Sequence, residues 1–91
     1  MFSVAPTRRF KRDLKRVHRQ NKNIDKLEIL INLIASRSSL PTKNKDHSLI
    51  GNYAGYRECH IEPDWLLIYR IDENRKSIIL VRTGSHAELF R

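Results

Sequence analysis

Residues 65–71 read WLLIYRI, an apolar run broken by a single arginine. A strand of that composition cannot leave one face in water. It belongs inside a sheet, covered on most of both faces. The flanking sequence agrees. Residues 56–61 alternate, with Arg57, Cys59 and Ile61 on one side and Tyr56, Glu58 and His60 on the other. Pro63-Asp64 turns that strand into the apolar run, proline presetting φ at the second turn position. The polar residues 72–76 make a second turn, and residues 78–82 read as a third strand ending at Thr83-Gly84. Two short connections require an antiparallel meander.

The N-terminal half carries a different period. Phe2 and Val4 alternate with small residues, so residues 1–5 read as a strand that Pro6 stops. Thr7 is placed to cap a helix over 7–21, in which Phe10, Leu14 and Val17 recur at i, i+4, i+7. Asn23 caps a second helix over 24–37 with Leu27, Leu30, Ile31 and Ile34 as its stripe. The tight join predicts an antiparallel helix hairpin. Residues 38–54 have no periodic element; Pro41, Gly51 and Gly55 break the chain, and Leu49, Ile50 and Tyr53 pin it as an ordered loop. The expected architecture is α+β in two layers. The helix hairpin packs on a mainly antiparallel four-stranded sheet, in the order β-α-α-β-β-β, within one domain over residues 1–91.

Charge narrows the function. The chain carries a net +8, and the excess lies wholly in residues 1–45, which hold twelve Lys/Arg against three Asp/Glu. The helix over 7–21 displays Arg8, Arg9, Lys11, Arg12, Lys15, Arg16 and Arg19, with Lys22 just beyond, and only Asp13 interrupts them. A positive rod with its apolar seam against a core suits a polyanion, above all nucleic acid. A merely solvated helix face is the plain alternative. No apolar run reaches the roughly 20 residues a bilayer span needs. The first residues lack the order of a signal peptide, and the lone Cys59 permits neither an internal disulfide nor a cysteine zinc site. These features predict a cytoplasmic protein with no membrane partner.

Three of the four histidines, His47, His60 and His86, fall in or beside the β half, with Asp46, Glu58, Glu62, Asp64 and Arg82 interspersed. Histidine moves protons near neutral pH, and arginine neutralises charge building on a phosphate, so the set suits phosphodiester chemistry. Zinc is the competing use of the same groups. However, no HxxxH or CxxC spacing is present, and the histidines lie 13 and 26 residues apart, so no metal or other cofactor is expected. His18 reads as a surface residue of the basic helix, Trp65 and Cys59 as core. Tyr53 and Tyr56 suit either base stacking or loop anchoring.

KDHSLIGNYAGYRECHIEPDWLLIY over residues 45–69 and VRTGSHAELF over 81–90, taken together and in order, resemble the YafQ branch of the RelE superfamily of toxin–antitoxin toxins. The resemblance implies a RelE-like fold and a metal-independent endoribonuclease that cuts messenger RNA in the ribosomal decoding site. It also implies inhibition of translation, and neutralisation by a cognate antitoxin. By motif, the catalytic residues it implies are His47, His60, Asp64 and His86, with Arg82 on the phosphate and Phe90 at an aromatic site position. Glu58 occupies an acidic position of the branch. On that basis His60 or His47 is the base and His86 the acid, and Asp64 orients or tunes a histidine. The ribosome and its RNA would be met through Arg8, Lys11, Arg12, Lys15, Arg16, Arg19 and Lys22. A non-catalytic RNA- or antitoxin-binding module on the same fold is the alternative.

Overall fold

The structure is a computed structural model that describes residues 1–90. Strand β1 (Ser3–Pro6) leads into helices α1 (Arg8–Arg19) and α2 (Ile24–Ala35). The long connection holds 3-10 turns at Thr42–Asn44 and Gly51–Tyr53, with strand β2 (His47–Ser48) between them. Strands β3 (Arg57–Glu62), β4 (Trp65–Asp72) and β5 (Ser77–Gly84) form the meander, and helix α3 (His86–Leu89) follows. The sheet order is β1-β5-β4-β3-β2, with β1 parallel to β5 and the other pairs antiparallel. The fold class is as expected, but the sheet has five strands rather than four. Strand β2 is two residues long, too short to leave a period-2 pattern. Helix α3, at four residues, was equally invisible to periodicity.

Local chemistry fixes the helices. Thr7 Oγ1 accepts from the Phe10 N–H at 3.1 Å, and Asn23 Oδ1 from the Asp25 N–H at 3.0 Å, satisfying N-terminal donors. Helix α2 stops at Ala35, short of the expected 37, because Arg37 turns into a positive φ of 62°. Helix α1 ends at Arg19, with Asn21 at φ 60°, so Lys22 lies off the helix.

Phe10, Val17, Leu27, Leu30 and Ile34 of the hairpin pack on Cys59, Trp65, Leu67, Tyr69 and Ile78 of the sheet. The opposite sheet face carries a smaller cluster, Leu66 and Ile68 with Leu89, edged by Leu49, Tyr56 and Val81. Strand β4 is therefore covered on both sides, as its composition demanded. No helix among the described residues is long and apolar enough to cross a membrane.

Strand β1 pairs only as far as Leu80, leaving the later half of β5 with β4 on one side and no strand on the other. Helix α1 covers that edge. Thr7 Oγ1 donates to the Val81 carbonyl, Asp13 Oδ2 accepts from the Thr83 N–H at 3.2 Å, and Arg16 Nη2 donates to the Thr83 carbonyl at 3.0 Å. Side chains thus complete a backbone ladder that would otherwise lie unpaired.

Candidate active site

The face of the sheet turned away from the hairpin collects the sequence-predicted residues through strand register. His47 on β2 pairs with Glu58 on β3, Glu58 with Ile68 on β4, and Ile68 with Arg82 on β5. One row across the sheet therefore carries His47, Glu58 and Arg82, with Ile68 as floor. His60 pairs with Leu66 in the next row, and Leu66 with Gly84.

His47 reaches its place through residues behind it. Asp46 accepts from the Tyr69 hydroxyl at 2.5 Å and from Arg57 Nη2 at 3.1 Å, while Arg57 Nη1 donates to Ser48 Oγ at 2.8 Å. The hydrogen bond to Asp46 holds the Arg57 guanidinium above its usual pKa, and burial, followed by the Asp46 contact, pushes the Tyr69 phenol up. These bonds pin β2 to the sheet. The His47 ring then meets an acceptor at each nitrogen. Its Nδ1–H donates to the Ser48 carbonyl at 3.2 Å, and Nε2 lies 3.1 Å from Glu58 Oε2. Only the imidazolium form donates at both.

The stretch from Arg82 to His86 supplies the rest. A register shift between Ile68 and Tyr69 puts Val81 and Arg82 across from one step of β4, and a bulge of this kind re-aims a side chain. Arg82 Nε donates to Asp13 Oδ2 at 2.6 Å, and Nη2 to Oδ1 at 3.2 Å; this contact raises the arginine pKa further. Thr83 is buried, accepting from Trp65 Nε1 at 2.9 Å and donating to the Leu66 carbonyl at 2.7 Å. Gly84 sits at φ 155°, where a Cβ would lie 2.6 Å from Arg16 Nη2 and 2.9 Å from Glu88 Oε1. Ser85 and Glu88 form a capping box that starts α3. His86 opens the helix. Its backbone N–H and Nδ1 both approach Asp64 Oδ1, at 3.0 and 2.6 Å, which holds the Asp64 carboxyl below the usual range, the backbone bond contributing most. The ring is thereby turned with Nε2 outward.

His60 and His86 face each other, ring centroids 5.5 Å apart at 59°. No hydrogen bond to the His60 ring is present among the described residues. Phe90 follows α3 and packs edge-on against Tyr53 at 5.5 Å, and Tyr53 against Tyr56 at 6.3 Å. Phe90 and Tyr53 remain partly exposed, an aromatic wall beside the site.

Beyond Arg82 opens a cleft of about 380 Å³ lined by Arg9, Arg12, Asp13, Arg16, Arg19 and Arg82. Of the residues expected to meet RNA, Arg8, Lys11, Arg12, Lys15 and Arg19 are exposed as read. Two differ. Arg16 lines the cleft but is half-buried, bonded to Asp13 Oδ1 at 3.0 Å and to Thr83, with Nε 3.1 Å from Glu88 Oε2 without hydrogen-bond alignment. Lys22 lies over the Trp65 ring, its Nζ 5.7 Å from the centroid.

Asp13 is the residue the sequence reading passed over. It lies three after Phe10 and four before Val17, on the buried seam of a basic helix. An acid there needs cations opposite, and that spacing was the available signal. Cys59 is core, its thiol pushed up to about 12 by burial, so no thiolate forms at neutral pH. His47, Glu58 and His60 also offer three ligand atoms, all within 4.8 Å of one another.

One sheet face thus carries two neighbouring histidines and a clamped arginine beside a basic cleft, groups whose chemistry suits a phosphodiester, and comparison with known families gives the chain a place. The family model described as the bacterial toxin of type II toxin–antitoxin system, YafQ, matches residues 2–91. The mRNA interferase toxin YafQ of Escherichia coli K12 is 40% identical over 82 residues, covering 89% of this chain and 87% of that one. A metal-bound toxin from Helicobacter pylori superposes with a TM-score of 0.94 at 37% identity, covering 99% of this chain and all of that one. The YafQ chain of the E. coli DinJ–YafQ complex gives 0.89 at 37% identity, with both chains covered completely. The chain belongs to the YafQ family of type II toxins.

Proposed function

We propose that this chain is an mRNA interferase that cuts messenger RNA on the ribosome by metal-independent histidine acid–base chemistry, and that a cognate antitoxin neutralises it. The E. coli relative carries the activity in its name, and a YafQ toxin is seen bound to DinJ. The observation that carries the mechanism is the facing pair His60 and His86, with Asp64 locking the second ring.

RNA provides its own nucleophile, the ribose 2′-OH beside the scissile phosphate. His60, with a free ring, takes that proton as the oxygen bonds to phosphorus. His47 is less suited, since both its nitrogens already face acceptors. As the phosphorus–O5′ bond breaks, His86 gives its Nε2 proton to the leaving oxygen, while Nδ1 stays on Asp64. A cyclic phosphate remains. Arg82, its Nε and Nη2 committed to Asp13, has Nη1 left for the phosphoryl oxygens. Phe90 and Tyr53 offer an edge for a neighbouring base, and the arginine row of α1 meets ribosomal RNA phosphates. The ribosome orients the message, which this shallow face alone does not.

Inducing the chain in bacteria and mapping new 5′ ends on messages tests the reading; intact messages and unimpaired translation would overturn it. A message with one 2′-deoxy nucleotide 5′ of the scissile phosphate should resist cutting there, and normal cutting would refute 2′-OH attack. His60→Ala and His86→Ala should each cost about 10²–10⁴-fold in rate.

A further inference from the structure

We propose that Glu88 is a positioning residue for message cutting: it ties helix α3, which carries His86, to helix α1 and so holds the proposed acid at its station. The effect on cutting rests on the reading of His86 as the acid; the tie itself does not.

Helix α3 is four residues long, and a single turn orders more backbone angles than its own hydrogen bonding offsets, so it must be held from outside. Three anchors do this. Leu89 is buried against Leu66 and Ile68, which sets how deeply the turn sits. The His86 N–H donates to Asp64 Oδ1 at 3.0 Å, but the Asp64 side chain is 68% exposed, so water competes for that bond. Glu88 is the third anchor. Its Oε1 stays within the helix, accepting from the Ser85 N–H at 2.8 Å. Its Oε2 reaches out to α1, accepting from Gln20 Nε2 at 3.1 Å and lying 3.1 Å from Arg16 Nε. One apolar anchor and one solvated bond leave a short turn free to pivot about Leu89. The reach to α1 removes that freedom.

Two further observations show that Glu88 does more than cap its own turn. Arg16 Nε is buried without an aligned hydrogen-bond partner, and its other two nitrogens serve Asp13 and the Thr83 carbonyl. The Glu88 carboxylate is the charge that answers it at that atom. The Ser85 backbone bond, followed by Gln20 and Arg16, holds the Glu88 carboxyl below its ordinary range, so the group is ionised at neutral pH. Gly84 makes the room. A Cβ there would lie 2.9 Å from Glu88 Oε1 and 2.6 Å from Arg16 Nη2, so any side chain would force the pair apart. The consequence for chemistry is geometric. His86 opens α3 and Phe90 follows it, so a pivot of the turn moves both and draws the His86 N–H off Asp64. Misplacing a reacting group by about 1 Å can cost about 10²-fold in rate.

Glu88→Gln separates the tie from the cap. Glutamine serves in a capping box as glutamate does, but its amide has a single acceptor oxygen and brings no charge to Arg16. The full chain with this change, shown by circular dichroism to be folded at the assay temperature, should cut ribosome-bound message roughly 10-fold more slowly in single turnover. Its affinity for ribosomes should be unchanged. Glu88→Ala, which loses the cap as well, should slow cutting by roughly 10²-fold. In a His86→Ala chain, Glu88→Gln should slow cutting no further. A carboxyl NMR titration reads the tie without any cutting. The Asp64 midpoint should rise in Glu88→Gln, because the His86 N–H that chiefly holds it low has moved, and Gln20→Ala should shift it the same way by less. Parent-like cutting and a parent-like Asp64 midpoint in Glu88→Gln would overturn the proposal and leave Glu88 a cap. An equal loss in the parent and His86→Ala backgrounds would also overturn it, as the mark of a general loss of structure. A shifted Asp64 midpoint with unchanged cutting would overturn the role in cutting while leaving the tie. A parent chain that never cuts, with the Asp64 shift still present in Glu88→Gln, would overturn the nuclease reading and the positioning role, with the tie standing.

Discussion

Replacing Asp13 tests whether the arginine of the site depends on a carboxylate from a helix that carries no proposed catalytic group. The Asp13 side chain is 5% exposed and accepts from Arg82 Nε at 2.6 Å, Arg82 Nη2 at 3.2 Å, Arg16 Nη1 at 3.0 Å and the Thr83 N–H at 3.2 Å. Alanine leaves the Arg82 guanidinium, 16% exposed, without its carboxylate partner, and Arg16, 30% exposed, with only Glu88 as counter-charge. It also orphans a buried backbone donor. Breaking a buried ion pair from one side costs about 3–5 kcal/mol. Partial exposure of the arginines argues for the lower end, roughly 3 kcal/mol, which for a domain this size lowers Tm by about 12–24 °C. Against a total of roughly 5–15 kcal/mol the alanine variant is marginal. Asp13→Asn, which keeps the shape and one acceptor oxygen, is therefore the variant for activity. Differential scanning calorimetry reads the first effect and single-turnover message cutting the second. If Asp13 acts through Arg82, Asp13→Asn slows cutting in the parent but adds nothing to Arg82→Ala. An equal loss in both backgrounds, or Asp13→Ala as stable as the parent, would refute the reasoning.

Changing Arg12, Lys15 and Arg19 to Gln should weaken ribosome association and reduce the slope of log affinity against log salt by about 0.7–0.9 per lost phosphate contact; an unchanged slope means a face that is only solvated. Tyr69→Phe removes the bond to Asp46 and should cost about 1 kcal/mol by denaturant unfolding, with His47 loosened in NMR spectra; unchanged stability would show that β2 is pinned otherwise. Asp64 titrates below the ordinary carboxylate range, so its contribution is fully present above the unfolded-state value and disappears as pH falls through the folded one. A carboxyl NMR titration should therefore place its midpoint low, and lower in the parent than in His86→Ala. A midpoint at the ordinary value in both would contradict the lock.

The parts legible in the sequence are those whose signal is local. WLLIYRI required cover on both faces, and β4 has it; Thr7 and Asn23 cap the two helices as read. The parts that were not legible are set by contacts far apart in the chain. Strand β2 exists because Asp46 reaches Tyr69 and Arg57, 23 and 11 residues away, and two paired residues leave no period. Arg16 was one more charge in a basic row until helix α1 met the open edge of β5, 67 residues on, where its guanidinium completes the ladder. Motif resemblance gathered the histidines and Arg82 but was silent on Asp13, whose partner lies 69 residues away.

The same long-range contacts explain why so small a chain can hold this arrangement. Residues 82–86 each answer to a different part of the fold: Arg82 to α1, Thr83 to Trp65, Gly84 to the closeness of Arg16 and Glu88, Ser85 to the capping box, His86 to the β3–β4 turn through Asp64. The proposed phosphate clamp and the proposed acid are therefore positioned by the main core and by helix α1, not by a loop of their own. Glu58 is the exception. It is buried beside His47 with one oxygen unpaired, and no part of the core answers to it. Its Oε2 lies 3.1 Å from His47 Nε2, so what it answers to is the short edge strand that Asp46 pins.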